Sequence, residues 1–205
     1  MDIRYSCSPK EMKTMDTAEL RKEFLVDNLF NENEIVFVYS HVDRMITGGL
    51  KPTKPVELVG GSELKSQYFL ERREMGVVNI GAEGIITADG QKYVIGHREA
   101  LYIGRGTKQV IFESTDNSNP AKFYMNSSPA HKNYKTVAIK LTGQESDNVV
   151  LVKPENRVEL GSLEDSNHRI IYKYILPGQV ESCQLVMGMT SLKPGSVWNT
   201  MPTHT

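Results

Sequence analysis

The sequence predicts an all-β protein built from two β-rich halves. Short runs of β-branched and aromatic residues recur along the chain, and glycine-containing turns separate them at regular intervals. The second half has no long helical period in its apolar residues. Closely spaced short strands of this kind are typical of a β-sandwich or a small β-barrel. The 205 residues are enough for one large domain or two small ones.

The first 30 residues predict an N-terminal arm with one short helix. Asp16-Thr17-Ala18-Glu19 resembles a capping box, in which Asp16 is the N-cap and Glu19 reaches back to it. Leu20 and Phe24 follow one turn apart on one face of the predicted helix. We therefore assign residues 1–30 to the arm.

Residues 31–126 predict a first barrel. The segment 34–39 is rich in β-branched and aromatic residues, and a series of short strands with tight turns runs from Tyr68 to Ser114. Asp89-Gly90 separates two of these strands and is a strong signal for a type I′ hairpin. The polar stretch 127–148 then predicts a connector over the surface.

Residues 149–205 predict a second β unit. One of its strands, residues 168–175, places Arg169, Ile171, Lys173 and Ile175 on one face because side chains alternate along a strand. Ile170, Tyr172 and Tyr174 take the other face. We assign no catalytic base in this half or in the other.

Composition narrows the functional classes. The formal net charge of −1 gives no electrostatic reason to expect nucleic acid or an anionic membrane as partner. No run approaches the roughly 20 apolar residues of a membrane span, and the N-terminus shows no apolar signal-peptide core. Cys7 and Cys183 do not make a disulfide framework, so we expect a reducing, cytoplasmic location.

Five motifs resemble segments of the 5-keto-4-deoxyuronate isomerase family; they are Tyr39–Arg44, Phe69–Gly81, Pro120–Tyr124, Ser128–His131 and Val197–Pro202. The resemblance implies a bicupin, with two cupin-type double-stranded β-helix barrels in tandem, one zinc ion in the second barrel and a homohexameric assembly. It also implies a ketol-isomerase of pectin-derived uronate catabolism. The implied reaction converts 4-deoxy-L-threo-5-hexosulose uronate to 3-deoxy-D-glycero-2,5-hexodiulosonate through a metal-stabilised enediolate or a hydride shift.

The family's zinc motif, H-x-H-x4-E, is represented by its first position only. The resemblance places the first zinc ligand at His204, and Thr205 takes the position between the two histidines. The other ligands would lie beyond the chain end. We therefore expect this chain to carry an incomplete second barrel and to be unable to hold zinc alone in the usual way, because one imidazole does not hold Zn²⁺ in water.

The first barrel is expected to be free of metal. Glu71-Arg72-Arg73-Glu74 and Gly104–Lys108 stand where a metal cupin would place ligands, but they supply no histidine cluster. The simplest interpretation of their charges is a solvated rim with salt bridges. The alternative is that the arginines support subunit packing or bind a substrate carboxylate. His41 and Asp43, two apart on a predicted strand, indicate either a surface or interface cluster or a metal or His–carboxylate pair.

Arg169 and Lys173 are the candidate substrate-binding residues. If their face points into the second barrel, they could clamp the uronate carboxylate or the enediolate; the alternative is an outward, solvated face. The rival function is a non-catalytic sugar-acid-binding cupin, a sensor or scaffold, that keeps the clamp but lacks a complete metal shell. A purely structural β-scaffold comes third.

Overall fold

The computed structural model describes residues 1–60 and 62–198, so the predicted zinc ligand His204 lies outside the described residues. The described part is mainly β, which confirms the predicted class. Its strands are β1 (Asp2–Arg4), β2 (Val36–Ser40), β3 (Ile46–Leu50), β4 (Val56–Glu57), β5 (Arg73–Asn79), β6 (Gly84–Ala88), β7 (Gln91–Ile95), β8 (Ala100–Ile103), β9 (Val110–Ser114), β10 (Phe123–Pro129), β11 (Val137–Lys140), β12 (Val149–Leu151), β13 (Arg157–Leu160), β14 (Arg169–Ile175) and β15 (Met187–Leu192).

Two short helices occupy the N-terminal arm, α1 (Pro9–Met12) and α2 (Thr17–Phe24), and two 3-10 turns follow later, Ser62–Leu64 and Pro154–Asn156. The predicted capping box is present at α2. The Asp16 carboxylate accepts from the Glu19 amide at 2.9 Å, and the Glu19 carboxylate accepts from the Asp16 amide at 2.9 Å. No described helix is long and apolar enough to cross a membrane.

Two sheets face each other to form the cupin-type barrel. The large sheet has the strand order β1-β2-β3-β10-β5-β8-β11-β12, and the small sheet has the order β4-β9-β6-β7. Alternate side chains of both sheets meet in one core, which includes Met75 and Phe123 from the large sheet and Ile86 and Phe112 from the small one. The β6–β7 hairpin turns at Asp89 and Gly90 with φ of 46° and 84°, so the predicted turn type is confirmed.

The large sheet continues past the first barrel's predicted limit at residue 126. Strand β11 lies inside the predicted connector 127–148 and pairs antiparallel with β8. Strand β12, which belongs to the predicted second unit, pairs parallel with β11. The division of the chain at 30, 126 and 148 stays a prediction.

The three-stranded sheet β13-β14-β15 packs on the outer face of the large sheet. Ile170, Tyr172 and Tyr174 of β14 are buried there against residues of β5, β8 and β11. Gly76 on β5 allows this close approach, since a Cβ at that position would lie 2.6 Å from the Met187 sulfur. The placement of Ile175 beside Lys173 was wrong: Ile175 is buried in this core because the β14–β15 register shifts between the two residues.

Candidate functional site

The three-stranded sheet turns one face away from the first barrel, and Arg169 and Lys173 lie on that open face. Arg169 stands between Leu160 on β13 and Leu192 on β15. Lys173, four residues further along the same strand, is exposed opposite Gly188. Both predicted substrate-binding residues therefore share one face, as the alternation of the strand predicted.

Arg169 is half-buried and fixed on two sides. Its Nη1 donates to the Asn167 carbonyl at 2.9 Å, and its guanidinium carbon lies 5.4 Å from the centre of the Trp198 ring. The Val197 amide, which donates to the Ser166 carbonyl at 2.8 Å, ties the Trp198 segment to the sheet. The Arg169 Nε is buried and has no hydrogen-bond partner among the described residues. The planar geometry of a guanidinium suits a carboxylate.

Lys173 lies four residues beyond Arg169 on the same strand. At strand spacing their Cα atoms are about 14 Å apart. Both side chains are long, and Lys173 forms no ion pair within the described part of the chain. The backbone spacing therefore separates the two cations too far for both to bind the same carboxylate without long side-chain extension.

The described residues do not form the zinc site that the family resemblance implies. Within residues 1–60 and 62–198, no three His, Cys, Asp or Glu side chains are arranged to hold a metal ion. His168, beside Arg169 in sequence, directs its Nε2 to the Glu159 carboxylate at 2.7 Å. The assignment of His204 as a zinc ligand stays a prediction.

Glu74 is a functional group that the sequence reasoning missed. Its carboxylate is fully buried and accepts five hydrogen bonds, from the amides of Cys183, Gln184 and Leu185 at 2.8, 2.8 and 2.9 Å, from the Tyr102 hydroxyl at 2.7 Å and from the Ser128 hydroxyl at 3.3 Å. Burial alone would raise the pKa of Glu74, but these donors hold it below its usual value. Glu74 thus joins β5 to the loop that leads into β15.

Arg73 is buried on the opposite face of β5. Its Nε donates to the Ser127 hydroxyl at 3.1 Å, and its Nη2 donates to the carbonyls of Ser127 and Arg44 at 2.8 and 2.7 Å. Burial, with a further contribution from Arg44, lowers the pKa of Arg73 to about 10. The interpretation of residues 71–74 as a solvated rim was therefore wrong for Arg73 and Glu74. The apolar run that follows them, Met75–Val78, was the available signal, because such runs indicate a strand buried on both faces.

His41 and Asp43 do not form a hydrogen-bonded pair in the structure. The His41 ring stacks on Tyr5 with centroids 4.4 Å apart and meets the edge of Tyr39 at 5.2 Å. Asp43 instead lies in the turn between β2 and β3, with φ of 51°.

The fold is a cupin-type β-barrel with a second sheet packed on its outer face. The sequence profile of the KduI/IolB family matches residues 24–205. The chain belongs to this family.

Relatives over the whole chain carry the name 4-deoxy-L-threo-5-hexosulose-uronate ketol-isomerase. The relative from Lachnoclostridium phytofermentans is 57% identical to this chain, the one from Escherichia coli strain SMS-3-5 is 52% identical, and the one from Caldicellulosiruptor bescii is 49% identical. Each match covers 100% of this chain and 71%, 71% and 70% of the relative, respectively. An IolB-like protein of Salmonella typhimurium aligns with a TM-score of 0.48 at 14% identity, over 74% of this chain and 51% of its own. The chain is accordingly an isomerase of the intramolecular oxidoreductase class.

Proposed function

We propose that the protein converts 4-deoxy-L-threo-5-hexosulose uronate to 3-deoxy-D-glycero-2,5-hexodiulosonate in the breakdown of pectin-derived uronates. The relatives' shared name supports this substrate. The observation that carries the proposal is the Arg169 guanidinium, which Asn167 and Trp198 hold on the open face of the three-stranded sheet. Such a group would bind the carboxylate that distinguishes a uronate from a neutral sugar.

The reacting carbons lie at the other end of this substrate from its carboxylate. A base removes the proton from C2, next to the C1 aldehyde, to give an enediolate, and a proton then returns to C1. The C1 aldehyde becomes an alcohol and C2 becomes a ketone, so no external oxidant or reductant is needed. With the carboxylate at Arg169, the C1–C2 end would extend toward Lys173, whose ammonium would stabilise the enediolate oxygen.

The remaining family properties enter as proposals. We infer that the active protein holds one zinc ion per subunit, with His204 as its first ligand, and that it works as a cytoplasmic homohexamer. A bound zinc ion would supply Lewis-acid stabilisation of an oxyanion. Because the described residues hold no such site, the roles of Arg169 and Lys173 are argued without it.

Steady-state kinetics on two variants and a control test the proposal. Arg169→Met should raise KM at least tenfold, since a charge-assisted hydrogen bond to the carboxylate is lost (about 1.5–3 kcal/mol). Lys173→Ala should lower kcat. Arg157→Met is the matched control, because Arg157 is exposed on the opposite face of the same sheet. An unchanged KM in Arg169→Met would rule out carboxylate binding by Arg169, and an unchanged kcat in Lys173→Ala would rule out enediolate stabilisation by Lys173. Substrate binding without turnover in the wild type would contradict the isomerase proposal.

A further inference from the structure

A cavity lies where the first barrel meets the three-stranded sheet. It has a volume of about 600 Å³ and opens between the β2–β3 turn and the loop that precedes β15. Its lining consists of polar side chains and one methionine: His41, Asp43, Arg44, Met45, Ser128 and Gln184. Its lining residues His41 and Gln184 are more than 100 positions apart in sequence. The cavity therefore forms only when the three-stranded sheet packs on the first barrel.

Arg44 holds a backbone position in this cavity wall that arginine rarely takes. The Met45 amide donates to the Val42 carbonyl at 3.3 Å, and the two residues between them have φ of 51° and 54°. These angles define a type I′ turn, in which the second central position is ordinarily glycine.

Two guanidinium groups, those of Arg44 and Arg73, lie at or near the cavity. No carboxylate lies within ion-pair distance of Arg44 or of Arg73 among the described residues. The two guanidiniums are close enough for Arg44 to lower the pKa of Arg73. Asp43 contributes the one carboxylate of the lining, and the nearby Glu74 is already saturated with hydrogen bonds. An added anion would therefore find donors at Arg44 that no described side chain uses.

The rest of the lining can bind hydroxyl groups. The Ser128 hydroxyl donates to Glu74 at 3.3 Å, which leaves its oxygen free to accept. The backbone amide of Gln184 donates to the Glu74 carboxylate, whereas the Gln184 side chain makes no hydrogen bond to the described residues. His41 is oriented by stacking on Tyr5, and its ring nitrogens have no partner in the described chain.

We propose that this cavity is a binding site for a small polyhydroxy carboxylate, a sugar acid, with Arg44 taking the carboxylate and Ser128 and Gln184 taking hydroxyls. The choice of a sugar acid rests on the proposed function. The requirement for an anion follows from Arg44, which has no ion-pair partner among the described residues, and does not depend on the proposed function.

Calorimetric titration of the purified protein with D-glucuronate tests the site, and D-glucose and inorganic phosphate serve as comparison ligands. Arg44→Asn is the main variant, because asparagine tolerates the left-handed backbone and the Arg44 carbonyl that accepts from Arg73 is retained. It should bind glucuronate about tenfold more weakly. Gln184→Ala should also weaken binding, and the charge-matched control Arg157→Asn should bind as the wild type does. Melting curves without ligand verify that each variant is folded.

The single tryptophan separates this site from the open face of the three-stranded sheet. Trp198 lies on Arg169, so its fluorescence reports ligands at Arg169, whereas calorimetry reports both places. Arg44→Asn should keep the fluorescence response, and Arg169→Met should keep the calorimetric signal that depends on Arg44. Equal affinity of Arg44→Asn and wild type, or equal binding of D-glucose, would overturn the proposal. If phosphate bound more tightly than D-glucuronate and its binding were lost in Arg44→Asn, the assignment to sugar acids would be overturned. Absence of turnover would count against the proposed function alone.

Discussion

Replacing Glu74 by glutamine should uncouple the three-stranded sheet from the first barrel. One carboxylate oxygen accepts from Gln184, Leu185 and Ser128, and the other accepts from Cys183 and Tyr102. A glutamine side chain keeps one accepting oxygen and turns an NH₂ group toward donors on the other side. The Tyr102 hydroxyl can rotate to accept, but the backbone amide that loses its acceptor cannot.

The expected cost is about 3 kcal/mol of unfolding free energy. At least two hydrogen bonds to a charged acceptor are lost, each worth about 1.5–3 kcal/mol, and relief from burying a charge offsets part of this. For a chain of this length, about 3 kcal/mol lowers Tm by roughly 6–12 °C. Because the lost hydrogen bonds join β5 to the loop before β15, the β13-β14-β15 sheet is expected to unfold in a separate, earlier transition than the barrel.

The pH dependence supplies a second, independent readout. Because the pKa of Glu74 is lowered in the folded state, its stabilisation is present above the unfolded pKa near 4.3 and is lost as the pH falls through the folded value. The Tm difference between wild type and Glu74→Gln should therefore be full at pH 7 and shrink below about pH 4.

Thermal unfolding by circular dichroism at a series of pH values measures both effects. Glu71→Gln is the matched control, since the Glu71 carboxylate accepts one hydrogen bond among the described residues, from the Gln67 amide at 2.7 Å. A Tm of Glu74→Gln within about 2 °C of the wild type at pH 7, or a difference that does not change with pH, would refute the reasoning.

The other predictions concern packing, a turn and the open face. Gly76→Ala should lower Tm by a few degrees, because the new Cβ would lie 2.6 Å from the Met187 sulfur and 2.7 Å from the Ile175 Cδ1. The expected overpacking cost, measured by urea unfolding, is about 1–3 kcal/mol. An unchanged unfolding midpoint would mean that the two units pack less closely. Asp89→Ala should lower the unfolding free energy by about 1–2 kcal/mol, because the carboxylate that accepts from the Lys108 and Gln109 amides at 2.9 Å is removed. Asp89→Asn should lower it less, since asparagine suits the left-handed backbone at this position. Equal losses of unfolding free energy in the two variants would contradict this reasoning. Arg169→Met should change the Trp198 emission spectrum without ligand, because the guanidinium lies over the indole; an identical spectrum would show that the two do not stack in solution.

Local features were predictable because the residues that determine them are neighbours in sequence. The Asp16–Glu19 capping box and the Asp89-Gly90 hairpin each depend on fewer than five consecutive residues. The opposite faces of β14 followed from strand alternation up to Lys173. Alternation failed at Ile175, since a register shift depends on the partner strand and leaves no mark in the local pattern.

The role of Glu74 could not be predicted in the same way. Its backbone donors lie 109, 110 and 111 residues later in the chain, so only the docking of two distant units shows that hydrogen bonds stabilise this buried charge. The same holds for the cavity lined by Arg44, because its lining residue Gln184 comes from the loop before β15 and the others come from the first barrel. The faces of Arg169 and Lys173 were predicted, but their role and that of His204 stay predictions.

Conversion of 4-deoxy-L-threo-5-hexosulose uronate in D₂O, followed by proton NMR with zinc added, tests the central claim most directly. The account predicts formation of 3-deoxy-D-glycero-2,5-hexodiulosonate with deuterium at the new alcohol carbon, because the enediolate takes its proton from solvent, and a much higher KM in Arg169→Met. Product without deuterium would replace the enediolate by a hydride shift. No conversion by the zinc-supplemented wild-type protein would contradict the proposed function.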